Sequence, residues 1–150
     1  GPGTGKTTVI KAITDIFLKL KISFALTAPT GRAAKRMSET CGQEAKTVHR
    51  LLETTFNDRG EQRFARDREN PLPYRAVIVD EMSMVDSLLF ASLLDALKPE
   101  AVFIELASRP CCDSERLLLS PALPARTSPA AAAQYIYDEI RPHLFPAADG

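Results

Sequence analysis

The chain opens with Gly1-Pro2-Gly3-Thr4-Gly5-Lys6-Thr7-Thr8, a glycine-rich stretch that runs directly into an apolar helical pattern. Glycine lets a backbone bend tightly and turn its N–H groups toward an anion. The helix that follows adds the positive end of its dipole. The stretch therefore predicts a phosphate-binding loop, in which Lys6 reaches the terminal phosphates and the Thr7 hydroxyl binds Mg²⁺.

The full pattern of such a loop, G-x-x-x-x-G-K-[ST], also fixes the position of its first glycine. Counting back from Gly5-Lys6-Thr7, that glycine falls one residue before Gly1. The strand that leads into such a loop is also missing from the sequence, so we expect the chain to be part of a longer protein. A glycine-rich turn with a chance lysine is the alternative, and the amphipathic helix that follows argues against it.

The second motif is an apolar strand pattern that ends in two acids, Val77-Ile78-Val79-Asp80-Glu81. In enzymes that hydrolyse nucleotides at a phosphate loop, the Asp at the strand end helps to hold Mg²⁺. The Glu that follows is placed to orient and deprotonate the attacking water. Acids also favour helix N-termini for electrostatic reasons, so the pattern carries little weight alone. Together with the loop, it predicts Asp80 as a metal ligand and Glu81 and Lys6 as catalytic residues.

Apolar spacing along the rest of the chain predicts strands that alternate with helices. Helices are predicted over residues 8–20, 32–40 and 47–53 and after residues 86–87, and strands over residues 22–27, 76–79 and 101–106. Gly42 suits the C-terminus of the second helix. Thr47 suits the N-cap of the third helix, and Asp86 or Ser87 that of the fourth. This alternation predicts an α/β fold with a mostly parallel sheet flanked by helices.

Composition narrows the class of protein. The 150 residues are 45% hydrophobic and 25% charged, as in soluble globular domains, and no apolar run is long enough to cross a membrane. Formal net charge is zero, which argues weakly against a protein that coats DNA. Cys41, Cys111 and Cys112 are odd in number and lack metal-binding spacing, so their use fits a reducing cytoplasm.

Three further segments carry a family resemblance. Residues 26–39 read L-T-A-P-T-G-R-A-A-K-R-M-S-E, residues 45–53 read A-K-T-V-H-R-L-L-E, and residues 77–86 read V-I-V-D-E-M-S-M-V-D. With the phosphate loop, they resemble the N-terminal motor domain of RecD-like helicases, superfamily 1 DNA helicases that move 5′ to 3′ on single strands. The resemblance covers residues 1–106. It implies a partial RecA-like ATPase motor domain with a P-loop NTPase fold, ATP and Mg²⁺ as cofactors, and single-stranded DNA as a partner.

The resemblance also assigns individual residues. ATP binding is expected of Gly1, Pro2, Gly3, Thr4, Gly5, Lys6, Thr7 and Thr8, and DNA contact of Pro29, Thr30, Gly31, Arg32, Lys35, Thr47 and His49. Backbone amides, a threonine hydroxyl and an arginine can hold phosphates without reading base sequence. A solvated helix face is the alternative for Arg32 and Lys35, and the favoured interpretation for Arg36. His49 fits a half-buried structural histidine equally well.

Two stretches are left out of the site. The arginine-rich run at residues 59–68 lies in a polar segment, 57–73, that predicts an exposed hairpin or loop, and we interpret it as solvated. Residues 107–150 are rich in proline and alanine, and we expect a poorly packed tail with one or two helical turns at residues 134–140. RecD-like helicases have a G-D-x-x-Q-L-P motif after the strand that matches residues 101–106, and this chain does not. The abrupt change suggests a reading-frame shift or a mis-joined gene end.

The second motor domain of such helicases, whose arginines complete the ATP site, is likewise not in the sequence. An arginine supplied in this way is worth roughly 10³ to 10⁵ in rate in related enzymes. We therefore expect the chain alone to bind Mg-ATP weakly and hydrolyse it slowly. The rest of the motor or other helicase subunits are expected partners. Two other functions stay open, a small P-loop metabolite kinase and a non-catalytic module that binds nucleotide or DNA.

Overall fold

Strands and helices alternate along the chain, as the sequence predicts. The computed structural model describes residues 4–80, 86–105 and 129–145. Its elements are α1 (Thr4–Lys19), β1 (Phe24–Ala28), α2 (Gly31–Cys41), β2 (Ala45–Thr47), α3 (Val48–Leu51), β3 (Thr54–Phe56), β4 (Gln62–Phe64), β5 (Ala76–Val79), α4 (Ser87–Asp95), β6 (Val102–Glu105) and α5 (Pro129–Leu144). None of the helices in these ranges is long and apolar enough to span a bilayer.

Four of the strands form one parallel sheet in the order β2-β1-β5-β6. The connection from β1 runs through α2 to β2, and the connection from β5 runs through α4 to β6. The two connections therefore diverge from the central pair, β1 and β5. Open α/β sheets bind ligands at the carboxyl ends of the strands where such connections diverge. The predicted α/β fold with a mostly parallel sheet is confirmed, and its topology marks the carboxyl ends of β1 and β5.

Side chains of the strands alternate between two buried faces of this sheet. Leu26, Ile78 and Ile104 pack on one face with α1, α2 and α5. Val77 and Phe103 pack on the other face with α3 and α4. Because both faces are covered, the strands read as continuous apolar runs rather than as alternating ones. Polar groups that meet a ligand are then expected at the strand ends.

The helix ends follow the local signals in the sequence. The N–H of Gly42, at φ 69°, donates to the carbonyl of Ser38 at 3.0 Å and closes α2. The carboxylate of Asp86 accepts the N–H of Leu89 at 2.8 Å and caps α4. The predicted C-cap is confirmed, and the structure selects Asp86 rather than its neighbour as the N-cap.

A small antiparallel hairpin of β3 and β4 follows α3. Its turn and β4 lie in segment 57–73, where an exposed hairpin or loop was predicted, and β3 begins three residues before that segment. Thr54 pairs with Phe64 at its base. Gly60 adopts φ 78° in the turn, a conformation that side chains with a Cβ rarely take. The hairpin stands apart from the parallel sheet and contributes little to its core.

Helix α5 corrects the expectation for the C-terminal part of the chain. Instead of one or two loose turns, it has 16 residues, and Ile136, Ile140 and Leu144 are at most 2% exposed against the core that includes α1. These residues are spaced four apart and so share one helix face. Alanine also has the highest helix propensity, which the interpretation as low-complexity sequence neglected. The boundary between residues 106 and 107 stays a prediction, and residues 107–128 lie outside the described ranges.

Candidate functional site

The first turn of α1 carries the backbone groups that a phosphate-binding loop requires. α1 leads through a short connection into β1, so its N-terminus points toward the carboxyl ends of the strands. The first four N–H groups of a helix have no acceptor within that helix. The helix begins at Thr4 rather than at the predicted Thr8, so the second half of the motif is helical. Gly1, Pro2 and Gly3 lie outside the described residues, and the ATP-binding roles, including those of Lys6 and Thr7, stay predictions.

Asp80 follows β5 directly and is buried, with 7% of its surface exposed. Its N–H donates to the carbonyl of Thr27 at 3.1 Å, so the pairing of β1 and β5 continues to this residue. Ala76 and Ile78 lie on the face that α1 covers, and alternation places Asp80 on the same face. A carboxylate there fits the hard oxygen ligands that Mg²⁺ prefers. Glu81 lies outside the described residues.

The two segments expected to contact DNA are neighbours at the carboxyl edge of the sheet. Residues 29–32 follow β1, and Thr47 ends β2, where it pairs with Ala28. Thr30 and Thr47 are the N-caps of α2 and α3, and each hydroxyl accepts a backbone N–H at 3.2 Å. A hydroxyl that accepts in this way still has its own proton to donate. Capping is therefore compatible with a phosphate contact by either threonine.

The cations of α2 differ from most of the arginines at residues 59–68. Arg32, Lys35 and Arg36 are exposed and form no ion pair or side-chain hydrogen bond within the described ranges. Three of the four arginines at residues 59–68 pair with carboxylates: Arg63 with Glu61 at 3.2 Å, Arg68 with Asp95 at 3.0 Å, and Arg66 with Glu53. The fourth, Arg59, is exposed and has no ion pair among the described residues. The run is mostly exposed, as a solvated surface is, and its exclusion from the site stays a prediction. The α2 cations remain available to a ligand, and Arg36 is as accessible as the two residues predicted to bind DNA.

His49 is exposed on α3 rather than half-buried. Its ring centroid lies 6.2 Å from that of Phe64, and its carbonyl accepts the hydroxyl proton of Thr54 at 2.6 Å. His49 therefore joins α3 to the base of the hairpin, a contact that spacing alone did not indicate. Its role in DNA binding stays a prediction.

Cys41 belongs to the core and not to the site. Burial raises the pKa of its thiol from 9.0 to about 11, and nearby Lys11 opposes that rise. A thiol with this pKa stays protonated at neutral pH and is a poor nucleophile or metal ligand. Across the described ranges, no three His, Cys, Asp or Glu side chains are grouped so that they could hold a metal ion by themselves.

Comparison with known proteins gives the family of this chain. A family model described as an AAA domain matches residues 1–106. The chain belongs to the AAA domain family. Its resemblance to RecD-like helicases is also confirmed, because several relatives of this AAA chain carry those names. The matched range coincides with the stretch in which the helicase-like segments were found.

Three relatives illustrate the similarity. The chain is 46% identical over 101 residues to the ATP-dependent RecD2 DNA helicase of Deinococcus radiodurans, covering 67% of this chain and 13% of that protein. It is 35% identical over 127 residues to the RecBCD enzyme subunit RecD of Mycobacterium tuberculosis, covering 69% of this chain and 21% of that protein. It is 36% identical over 108 residues to the ATP-dependent DNA helicase dda of Enterobacteria phage T4, covering 69% of this chain and 25% of that protein. The chain thus spans a quarter or less of each relative.

Proposed function

We propose that this chain is the ATP- and DNA-binding part of a DNA helicase motor that moves 5′ to 3′ on single-stranded DNA. The observation that carries the proposal is the arrangement at the carboxyl ends of β1 and β5. There, residues 29–32 follow one strand and Asp80 follows the other, and a backbone hydrogen bond of 3.1 Å joins the two strand ends. The names of the relatives support a helicase, and the family resemblance supports the polarity.

Each candidate residue has a physical role in this proposal. The free N–H groups at the start of α1 and the ammonium group of Lys6 hold the phosphates of ATP. Asp80 and the Thr7 hydroxyl hold Mg²⁺, which when bound neutralises charge on the phosphate oxygens. Glu81 orients the attacking water as a general base. Residues 29–32, with Lys35, Thr47 and His49, hold the DNA backbone without reading its sequence.

The chain alone is proposed to bind Mg-ATP weakly and to hydrolyse it slowly. Charge that develops on the transferred phosphate needs a cation opposite the loop, and in related enzymes a separate arginine provides it. A second motor domain or another helicase subunit is the proposed source of the missing arginine.

The proposal is tested by equilibrium binding of Mg-ATP and of an oligothymidylate to the 150-residue chain, with ATPase rates measured with and without that oligonucleotide. We expect binding of both ligands, slow hydrolysis and a rate that rises with DNA. Phosphorylation of a metabolite with no response to DNA would favour a small P-loop kinase. Binding without any hydrolysis would favour the non-catalytic module, and fast turnover stimulated by DNA would contradict the dependence on a second domain.

Arg32→Ala is expected to weaken oligothymidylate binding about tenfold. A hydrogen bond between charged groups contributes about 1.5–3 kcal/mol, and the exposed position of Arg32 favours the lower end of that range. Loss of one phosphate contact should also reduce the slope of log K against log salt by about 0.7 for a single strand. Fluorescence anisotropy across a salt series measures both effects. Arg63→Ala is the matched control, since its guanidinium already pairs with Glu61. Equal losses in the two variants would contradict a specific contact at Arg32.

Asp80→Asn is expected to lower the affinity for ATP about tenfold when Mg²⁺ is present and to leave it unchanged when Mg²⁺ is chelated. The amide keeps the shape of the carboxylate but removes the charge that a hard cation prefers. Isothermal titration calorimetry with and without a chelator separates the two conditions. Asp95→Asn, at an exposed ion-paired position, serves as the control. The same loss in both conditions would show that Asp80 acts on the fold or the nucleotide rather than on the metal.

A further inference from the structure

Thr27 carries a buried hydroxyl that the site described above does not use. The residue is 0% exposed, and its Oγ1 has no hydrogen-bond partner in the part of the chain that the structure describes. A buried hydroxyl without a partner disfavours the folded state, because it has lost its bonds to water and gained none. Such a group in a folded protein calls for an explanation.

The position of Thr27 in the sheet suggests an explanation for its buried hydroxyl. It lies in β1 between Lys46 of β2 and Val79 of β5, at the carboxyl end of the strand. Its carbonyl accepts the N–H of Asp80 at 3.1 Å, and residues 29–32 begin two positions later. One residue therefore connects the proposed DNA-binding segment to the proposed metal ligand through the main chain.

The side chain of Thr27 faces a third candidate segment. Ala25 belongs to the cluster that contains Val48 of α3, and alternation along β1 puts Thr27 on the same face. Val48 lies between Thr47 and His49, which are both expected to contact DNA. The hydroxyl is thus buried beneath α3, on the opposite face of the sheet from Asp80.

We propose that Thr27 is a positioning residue that couples single-stranded DNA to the ATP site. DNA that engages residues 29–32 and α3 shifts the main chain around β1, and the Thr27 hydroxyl then gains a hydrogen-bond partner there. The bond favours the DNA-bound arrangement, and the carbonyl of Thr27 transmits the shift to Asp80. A ligand changes a conformational equilibrium only through interactions that differ between the two states, and the hydroxyl supplies such a difference. This inference rests on the function proposed above.

The test compares Thr27→Val, which removes the hydroxyl and keeps the shape, with Thr27→Ser, which keeps the hydroxyl. Thr14→Val is the matched control, because Thr14 is also 0% exposed but its hydroxyl donates to the carbonyl of Lys11 at 2.8 Å. The full chain of each variant is assayed for its melting temperature and for its affinity for an oligothymidylate. The Mg-ATP affinity is measured with and without that oligonucleotide.

Thr27→Val is expected to raise the melting temperature by about 3 °C and to weaken oligothymidylate binding about fivefold, effects of opposite sign that a purely structural role would not produce. It should also reduce the effect of the oligonucleotide on Mg-ATP affinity. Thr27→Ser should lower the melting temperature, since it loses a buried methyl group, and keep DNA affinity within about twofold of wild type. Thr14→Val should keep wild-type DNA affinity.

Three results would overturn the inference. The first is wild-type DNA affinity in Thr27→Val. The second is a lowered melting temperature or loss of folding in that variant. The third is a Mg-ATP affinity of the wild-type chain that does not change when the oligothymidylate is added. Failure of the proposed function looks different, because the wild-type chain would then bind neither the oligothymidylate nor Mg-ATP.

Discussion

Replacing Lys6 with alanine is expected to lower the affinity of the chain for Mg-ATP by about 10- to 100-fold. Lys6 lies in the first turn of α1, the end of the helix that carries the positive dipole. Its ammonium group would donate charge-assisted hydrogen bonds to the terminal phosphates, and bonds to charged groups contribute about 1.5–3 kcal/mol. Isothermal titration calorimetry on the purified chain measures the loss directly.

Lys11→Ala is the control for this experiment. Lys11 is on the same helix, is exposed, and pairs with Asp15 at 3.3 Å, so its removal changes the same charge and side-chain length away from the loop. An exposed pair of this kind contributes little to stability, and Mg-ATP affinity should stay within about twofold of wild type. Equal binding by wild type and Lys6→Ala would show that the loop is not the nucleotide site.

Ile140→Ala is expected to lower the free energy of unfolding by about 2–5 kcal/mol, a large share of what a domain of this size has to lose. The side chain is 1% exposed and packs in the cluster that contains Ile10 and Ile13 of α1. Its truncation removes apolar contacts and leaves a cavity between the two helices. Urea denaturation followed by circular dichroism gives the free energy.

Glu139→Ala, one position earlier on an exposed part of α5, provides the comparison. Surface substitutions usually change stability by less than about 0.5 kcal/mol. Similar stabilities of the two variants would contradict the docking of α5 and restore the expectation of a loose tail. A selective loss in Ile140→Ala would make the C-terminal helix part of the folded unit.

Much of the fold follows from local signals in the sequence. The apolar run at Ala76–Val79 forms a strand with those ends, as predicted. Gly42 is the predicted C-cap of α2, and Asp86 is one of the two predicted N-caps of α4. Elements that depend on tertiary contacts were harder to predict. β2 has three residues, Ala45–Thr47, which are too few to show the alternation of apolar and polar residues that predicts a strand. It forms because the backbone of β1 offers it hydrogen-bond partners. The docking of α5 similarly depends on a surface of α1 that no local pattern reveals.

In the candidate site, too, local sequence signals were easier to interpret than features that depend on tertiary contacts. Residue types and spacing were enough to single out Lys6 and Asp80, and the family resemblance added Arg32. Sequence alone did not place Thr47 beside Ala28, because that contact depends on the order of strands in the sheet. Thr27 lies within the quoted segment 26–39 but was assigned no role, because a threonine in a strand is ordinary. What distinguishes it is a buried hydroxyl without a partner among the described residues.

The pairing of the hairpin arginines has a consequence for how DNA would approach the molecule. The chain has a formal net charge of zero, so at long range it neither attracts nor repels a polyanion. Within a Debye length of about 8 Å at physiological salt, the positive electrostatic field of the unpaired α2 cations is not screened out. Carboxylates within the protein already offset three of the four arginines at residues 59–68. A neutral protein can in this way hold a local positive field at one edge, which orients an arriving strand toward residues 29–32.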